Sequence, residues 1–222
     1  SALVYVGSAI GAVFAGDLMT LFVYWEITAL SSVFLIWASG SEQASRAGMR
    51  YLIIQVGAGV LLLSGILLYY QHTGSLAFEQ LISTSGQLAD ADPGVLLILV
   101  AFAIKCAFPF LHNWLQDAYP QATVTGAVFL SAFTTKLAVY ALARGFPGTE
   151  VLIVIGVVMT LFPIFFAVIE NDLRKVLSYS LNNQLGFMVV GIGIGTELAL
   201  NGAVAHAFVH IIYKALLFMS IG

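Results

Sequence analysis

His206, His210 and Lys214 stand at i, i+4 and i+8 in AHAFVHIIYKALLF, an otherwise apolar stretch. On an α-helix that spacing places three titratable groups in one slowly drifting stripe. Two histidines one turn apart can pass a proton between them, directly or through water. They cannot hold one haem from opposite sides, because both point the same way. Three more charges lie in apolar surroundings: Glu26 in LFVYWEITALSS, Lys105 in VAFAIKCAFPF and Lys136 in LSAFTTKLAVYAL. A charge at the centre of a membrane helix costs about 2.5–3.5 kcal/mol. Several such costs in one chain argue for a purpose. The plain alternatives are snorkelling to an interface, static packing pairs, or a neutral histidine satisfied by one hydrogen bond. Glu26, Lys105 and Lys136 sit too deep in their segments to snorkel easily. Proton transfer is the reading carried forward for all six.

Lys105 stands four residues before Pro109. Proline has no N–H, so Pro109 cannot bond the Lys105 carbonyl, and its ring clashes with that carbonyl. A helix is expected to bend or break just after the lysine. Freed backbone groups at membrane depth are tolerated only inside protein or beside water. Lysine and break together point to a polar, hydrated spot at mid-membrane; an ordinary proline kink with an incidental lysine is the alternative.

The elements that must hold these residues follow from composition. The chain has 222 residues, 60% hydrophobic and 9% charged, where a soluble domain carries about 25% charge. The fold class is an all-α, polytopic membrane bundle. The runs are continuously apolar rather than alternating, which favours helices over a β-barrel. Eight segments are expected, at 2–16, 17–38, 49–71, 94–115, 121–144, 149–169, 174–195 and 197–220. The net charge of −3, with no basic patch, gives no sign of nucleic acid. Cys106 is the only cysteine, which leaves no disulfide, iron–sulfur cluster or thiolate metal site within the chain. No cofactor site and no metal site is expected, and the chain does not read as an enzyme in itself. Both ends lie in apolar runs, so it reads as an internal piece of a longer protein.

Arg46, Arg50, Arg174 and Lys175 fall on one side if the segments alternate, and the positive-inside rule makes that side cytoplasmic. The 72–93 loop lies outside, with a short surface helix expected at SLAFEQLIS. His112 and Asp117 read equally as an inlet for protons from the cytoplasmic side or as interfacial caps. Trp25, Trp37 and Trp114 read as packing or belt residues, and GIGIG at 191–195 as close helix packing. DLMTLFVYWEITAL (17–30) and DLRKVLSYSLNNQL (172–185) echo each other weakly, as an inverted repeat would.

KCAFPFLHNWLQDAYPQATVTGAVFLSAFTTKLAVYAL, NDLRKVLSYSLNNQLGFM and HAFVHIIYKALLFMSIG resemble the antiporter-like proton-translocating membrane subunits. That family takes in Mrp-type Na+/H+ antiporters, complex I and membrane-bound hydrogenases. LQDAYPQATVTGAVFLSAFTTK and SYSLNNQLGFM look most like the D component of the Mrp antiporters. The resemblance implies about fourteen helices with two inverted five-helix repeats, of which this chain holds helices four to eleven. It divides the chain at 1–145 and 146–222, with the second repeat incomplete and its charged broken helix beyond residue 222. It matches Glu26 to the family's membrane glutamate, Lys105 to the broken-helix lysine and Lys136 to the bridging position. His206, His210 and Lys214 match the eleventh helix. The polar SLNNQ at 180–184 departs from the pattern and marks a subgroup.

The implied function is a proton-conducting subunit of a multisubunit Na+/H+ antiporter in the inner (plasma) membrane of a bacterium, with protons and Na+ as the transported ions and other membrane subunits as partners. The alternatives are a proton-pumping subunit of complex I or of a hydrogenase, and, more distantly, a structural anchor. Glu26 and Lys105 are expected to form an ion pair whose length sets the lysine's proton affinity.

Overall fold

The structure, a computed structural model, describes residues 1–82, 88 and 91–221. Nine helices run through them: α1 Ala2–Val13, α2 Leu18–Trp37, α3 Glu42–Thr73, α4 Pro93–Lys105, α5 Asn113–Ala118, α6 Val124–Gly145, α7 Val151–Ile169, α8 Leu173–Ile194 and α9 Glu197–Ile221. Among the described residues there is no strand beyond one isolated bridge, Asp17 to Ala77. All eight expected segments are helical. Five of them, α2, α3, α6, α7 and α9, are long and apolar enough to cross a membrane. The helix α8 has 22 residues but carries the polar SLNNQ run, and α1 and α4 have only 12 and 13. The expectation of eight crossings is thus met only roughly: each segment contains helix, and five of the helices qualify by length and hydropathy.

The helix starts follow from local chemistry. The side chains of Asp17, Ser41, Asp92, Thr123 and Asp172 each accept a backbone N–H from the first turn of their helix, supplying partners that the helix itself cannot. Ser41 explains why α3 starts at Glu42 rather than at 49: its hydroxyl accepts from Ala44 N at 3.0 Å, a signal that hydropathy does not register. Capping also accounts for the Asp-Leu that opens both halves of the sequence echo, since Asp17 and Asp172 do the same work. Gly74 and Gly195 end α3 and α8 in the left-handed conformation.

Helix α6 is the hub, packing against α1, α2, α4, α8 and α9. Helices α7 and α8 approach closest: a Cβ on Gly186 would stand 2.6 Å from the Gly156 carbonyl oxygen and 2.7 Å from Thr160 N. Gly193 of the GIGIG run packs likewise on Ile153. Trp25 and Trp114 are core residues and Trp37 is half-buried against Gly48, so all three serve packing. Helix α9 buries only Ala203, His210, Lys214 and Phe218.

The expected surface helix at SLAFEQLIS is not formed over its described residues, 75–82; residue 83 lies outside the described residues. This backbone is committed elsewhere. Leu18 N donates to Leu76 O, Phe78 N to Gly16 O and Leu81 N to Gly145 O, at 2.8, 3.1 and 2.9 Å. Phe78, Leu81 and Ile82 are buried, so the segment seals the bundle end instead of lying on it. At the other end Arg50 pairs with Asp117, joining α3 to α5. Arg174 donates to the carbonyls of Pro120 and Ala122. Arg46, Arg50, Arg174 and Lys175 thus share one end, as their places in the sequence indicated.

Candidate proton-transfer site

The break after Lys105 is built, and several of its backbone groups are bonded. Helix α4 ends at Lys105, and Ala107 and Phe110 take positive φ of 59° and 68°. Cys106 N donates to Phe102 O at 2.8 Å and Phe108 N to Ala103 O at 3.0 Å. The Ile104 carbonyl accepts from Ala107 N and, at 3.0 Å, from the indole N–H of Trp114. A tryptophan from α5 therefore closes a helix end that proline chemistry opened.

Lys105 is fully buried. Its Nζ donates to the Trp25 carbonyl of α2 at 3.2 Å and lies 4.0 Å from the centre of the Trp25 ring. The expected ion pair with Glu26 is not present. The ion pairs among the described residues are Arg46–Glu42, Arg50–Asp117, His72–Asp92 and Lys175–Glu170. Glu26, the next residue on α2, is half-buried and turns toward α3, where its Oε1 lies against Gly59 without a hydrogen-bond partner. Neighbours in sequence on a helix point about 100° apart, so one residue's carbonyl can take the lysine while the other's carboxylate faces elsewhere.

The other two lysines repeat this arrangement. Lys136 Nζ donates to Ser131 O at 2.7 Å and to Thr135 Oγ1 at 3.4 Å. Lys214 Nζ donates across to the Leu177 carbonyl of α8 at 3.3 Å. Exposure is 0% for Lys105, 7% for Lys136 and 1% for Lys214. Three buried lysine amines are held by neutral oxygens, none by a carboxylate. Lys136 also lines a cavity of about 200 Å³ with Ile211 of α9.

His210 is fully buried, between Lys214 one turn on and His206 one turn back. The two rings are 6.1 Å apart, centre to centre. Neither ring nitrogen of His210 has a protein partner. His206 is half-buried and its Nε2 bonds Gln184 Oε1 at 2.8 Å. The i, i+4, i+8 stripe is thus a real face, and it is the face that α9 turns toward the protein.

Spacing in the sequence did not reveal a group of buried hydroxyls. Tyr5 OH and Thr134 Oγ1 are 2.5 Å apart, Tyr51 OH and Ser32 Oγ 2.8 Å, and Tyr119 OH donates to Leu130 O at 2.9 Å. All five are buried, and they come from α1, α2, α3, α6 and the turn after α5. Tyr51 lies eight residues before Gly59 on α3, about 12 Å nearer the arginine end. Gln55 stands between them, buried, with neither amide atom bonded to protein. Hydroxyl residues are too common in helices for a pattern to have flagged these. Toward the arginine end, Gln116, Asp117, Arg50 and His112 line a cavity of about 480 Å³. Asp117 is committed to Arg50, and His112 precedes α5 without a side-chain capping bond.

Residues 15–222 match the transmembrane family described as NADH:quinone oxidoreductase/Mrp antiporter. The chain belongs to this family. It is 35% identical to the D component of the Na(+)/H(+) antiporter of Alkalihalophilus pseudofirmus, over 96% of this chain and 45% of that one. It is 36% identical to the N component of the NADH-quinone oxidoreductase of Desulforudis audaxviator, again over 96% and 45%. Among solved structures it resembles a chain of the Mrp complex from a Dietzia species, with TM-score 0.89 and 29% identity over 97% of this chain and 43% of that one. A chain of the archaeal membrane-bound sulfane sulfur reductase matches with TM-score 0.86 and 28% identity, over 98% and 47%. The chain therefore spans less than half the length of each relative. It is a multi-pass membrane protein of the antiporter-like class, and both solved relatives are multisubunit membrane complexes.

Proposed function

We propose that this chain is the proton-conducting part of a subunit of a multisubunit monovalent cation/proton antiporter, of the Na+/H+ type, in a bacterial plasma membrane. Other membrane subunits are its partners, and it acts as a transporter rather than as an enzyme. The observation that carries this reading is the set of three buried lysines, Lys105, Lys136 and Lys214, each resting on neutral oxygens with no carboxylate in contact. A static packing role would pair such charges, because an uncompensated buried charge costs several kcal/mol. Groups held only by carbonyls and hydroxyls can lose and regain a proton without breaking an ion pair. The likeness to a component of a Na(+)/H(+) antiporter favours the exchange of a cation for protons. The equal likeness to a component of an NADH-quinone oxidoreductase supports a second reading, a redox-driven pump, in which the same residues do the same work.

In this scheme Glu26 moves between two positions. Against Gly59 it leaves Lys105 to the Trp25 carbonyl; turned toward Lys105 it favours the ammonium form. Its withdrawal sends a proton from Lys105 toward Lys136, and His206, His210 and Lys214 continue the route laterally. Residues 1–145 are then a first repeat, and 146–222 part of a second, inverted and truncated one, with α6 of the first packing against α8 and α9 of the second.

The test is Lys105→Ala in the intact complex, reconstituted in vesicles. Transport is expected to vanish while assembly is retained. Native transport by that variant would overturn the scheme. NADH- or quinone-driven activity without Na+ dependence would select the second reading.

A further inference from the structure

A chain of amides leads from α7 to His206. Asn183 Nδ2 donates to the Thr160 carbonyl at 2.5 Å, Gln184 Nε2 donates to Asn183 Oδ1 at 3.0 Å, and Gln184 Oε1 meets His206 Nε2 at 2.8 Å. Its direction is fixed at one end by chemistry. A main-chain carbonyl can only accept, so Asn183 must turn its NH2 to Thr160 and its oxygen to Gln184. That oxygen can only accept, so Gln184 must turn its own NH2 to Asn183 and its oxygen to His206. The oxygen again can only accept, so His206 Nε2 must carry the hydrogen. The anchor is secure because Gly156 and Gly186 let α7 and α8 touch at backbone distance just beside Thr160. Phe187 stacks on the imidazole at 6.2 Å and 29°, restraining the plane of the ring.

We propose that Asn183 and Gln184 are positioning residues that lock neutral His206 as its Nε2–H tautomer, so that His206 takes up and releases protons through Nδ1 alone. A proton arriving at Nδ1 makes imidazolium without disturbing the bond to Gln184, and the same proton must leave from Nδ1. His206 therefore serves that route as a loading point that takes and returns its proton at one nitrogen, rather than as a ring that protons cross. His210 is the contrast: with no protein partner on either nitrogen, it can receive at one and release at the other. The loading role rests on the proton-transfer reading above; the tautomer lock does not.

The experiment is solid-state NMR of the intact complex in bilayers, labelled with 15N-histidine and 13C-glutamine, at a pH where the rings are neutral. The His206 signals are those missing from His206→Gln. A single Nε2–H form is expected, with its proton close to the Gln184 side-chain carbonyl carbon. Gln184→Leu removes the acceptor, and a minority Nδ1–H form is expected to appear, as in a free imidazole. Gln184→Glu keeps an acceptor and should keep the single form. Nδ1–H in the unsubstituted complex would overturn the lock, and this spectrum decides even if Gln184→Leu fails to assemble. Identical tautomer populations in the unsubstituted and Gln184→Leu complexes would overturn it too. The spectra need no transport, so native transport by Lys105→Ala would remove the proton-transfer reading and leave the lock standing.

Discussion

Gly59 is where one methyl group reaches the ionisable residues. A Cβ there overlaps the Glu26 carboxylate, so Gly59→Ala must drive Glu26 out of its position on α3. Overpacking of this kind costs about 1–3 kcal/mol. Transport is expected to fall roughly tenfold, equivalent to about 1.4 kcal/mol on the barrier, with near-native assembly; proton flux in vesicles, normalised to complex yield, measures it. Thr134 offers a different kind of test. Thr134→Val leaves the buried Tyr5 hydroxyl without its 2.5 Å partner, an expected loss of about 1–3 kcal/mol. Adding Tyr5→Phe should recover part of that loss in a double-mutant cycle of thermal stability. At this scale the six ionisable residues were legible because charge in apolar sequence is conspicuous. The absence of a Glu26–Lys105 pair was not legible, because the Trp25 carbonyl reaches Lys105 only through the packing of α2 on α4.

The elements owe their ends to a few bonds that can be removed singly. Trp114→Phe keeps an aromatic ring, smaller than the indole, but withdraws the N–H from the Ile104 carbonyl and leaves space in a buried site. A loss of about 1–3 kcal/mol is expected from the lost bond and the space left behind, seen as a lower unfolding temperature with α4 still ending at Lys105, since Pro109 remains. Asp17 caps α2, and the hydroxyl of Thr20, with its backbone N–H, holds the Asp17 carboxyl below its usual range. A depressed folded-state value means that the contribution is fully present above the unfolded pKa of about 3.9 and is lost as pH falls through the folded value. Stability near neutral pH should thus be insensitive to this group. The acid limb of an unfolding curve, below about pH 4, should flatten in Asp17→Asn. The break at Lys105 and the apolar runs were readable because Pro109 and hydropathy act locally. The start of α3 was not, because its first two turns are polar and only the Ser41 cap announces them.

For the whole molecule, α6 joins the two halves and the α7–α8 contact stiffens the second. Gly186→Val would force Gly156 and Thr160 away. The expected result is destabilisation by about 1–3 kcal/mol or more, with weaker proton transport because the Asn183–Thr160 bond opens with the helices. Thermal unfolding and flux in the same preparation check both. The extended 75–82 segment belongs to this scale as well. A surface helix was expected there, yet Phe78, Leu81 and Ile82 find burial against the bundle end, and that outweighs local helix formation.

The sequence by itself determined a bundle of membrane helices with a break after Lys105 and ionisable side chains inside it. Those features arise from local causes: hydropathy, a proline without an N–H, capping residues and 3.6-residue spacing. Only the tertiary structure decided which oxygen each lysine rests on, which way Glu26 turns, and that an amide chain rooted at Thr160 orients His206. Apart from Lys136, which bonds Ser131 and Thr135 of its own helix, each of those depends on the distance between two different helices, a quantity that linear spacing does not contain.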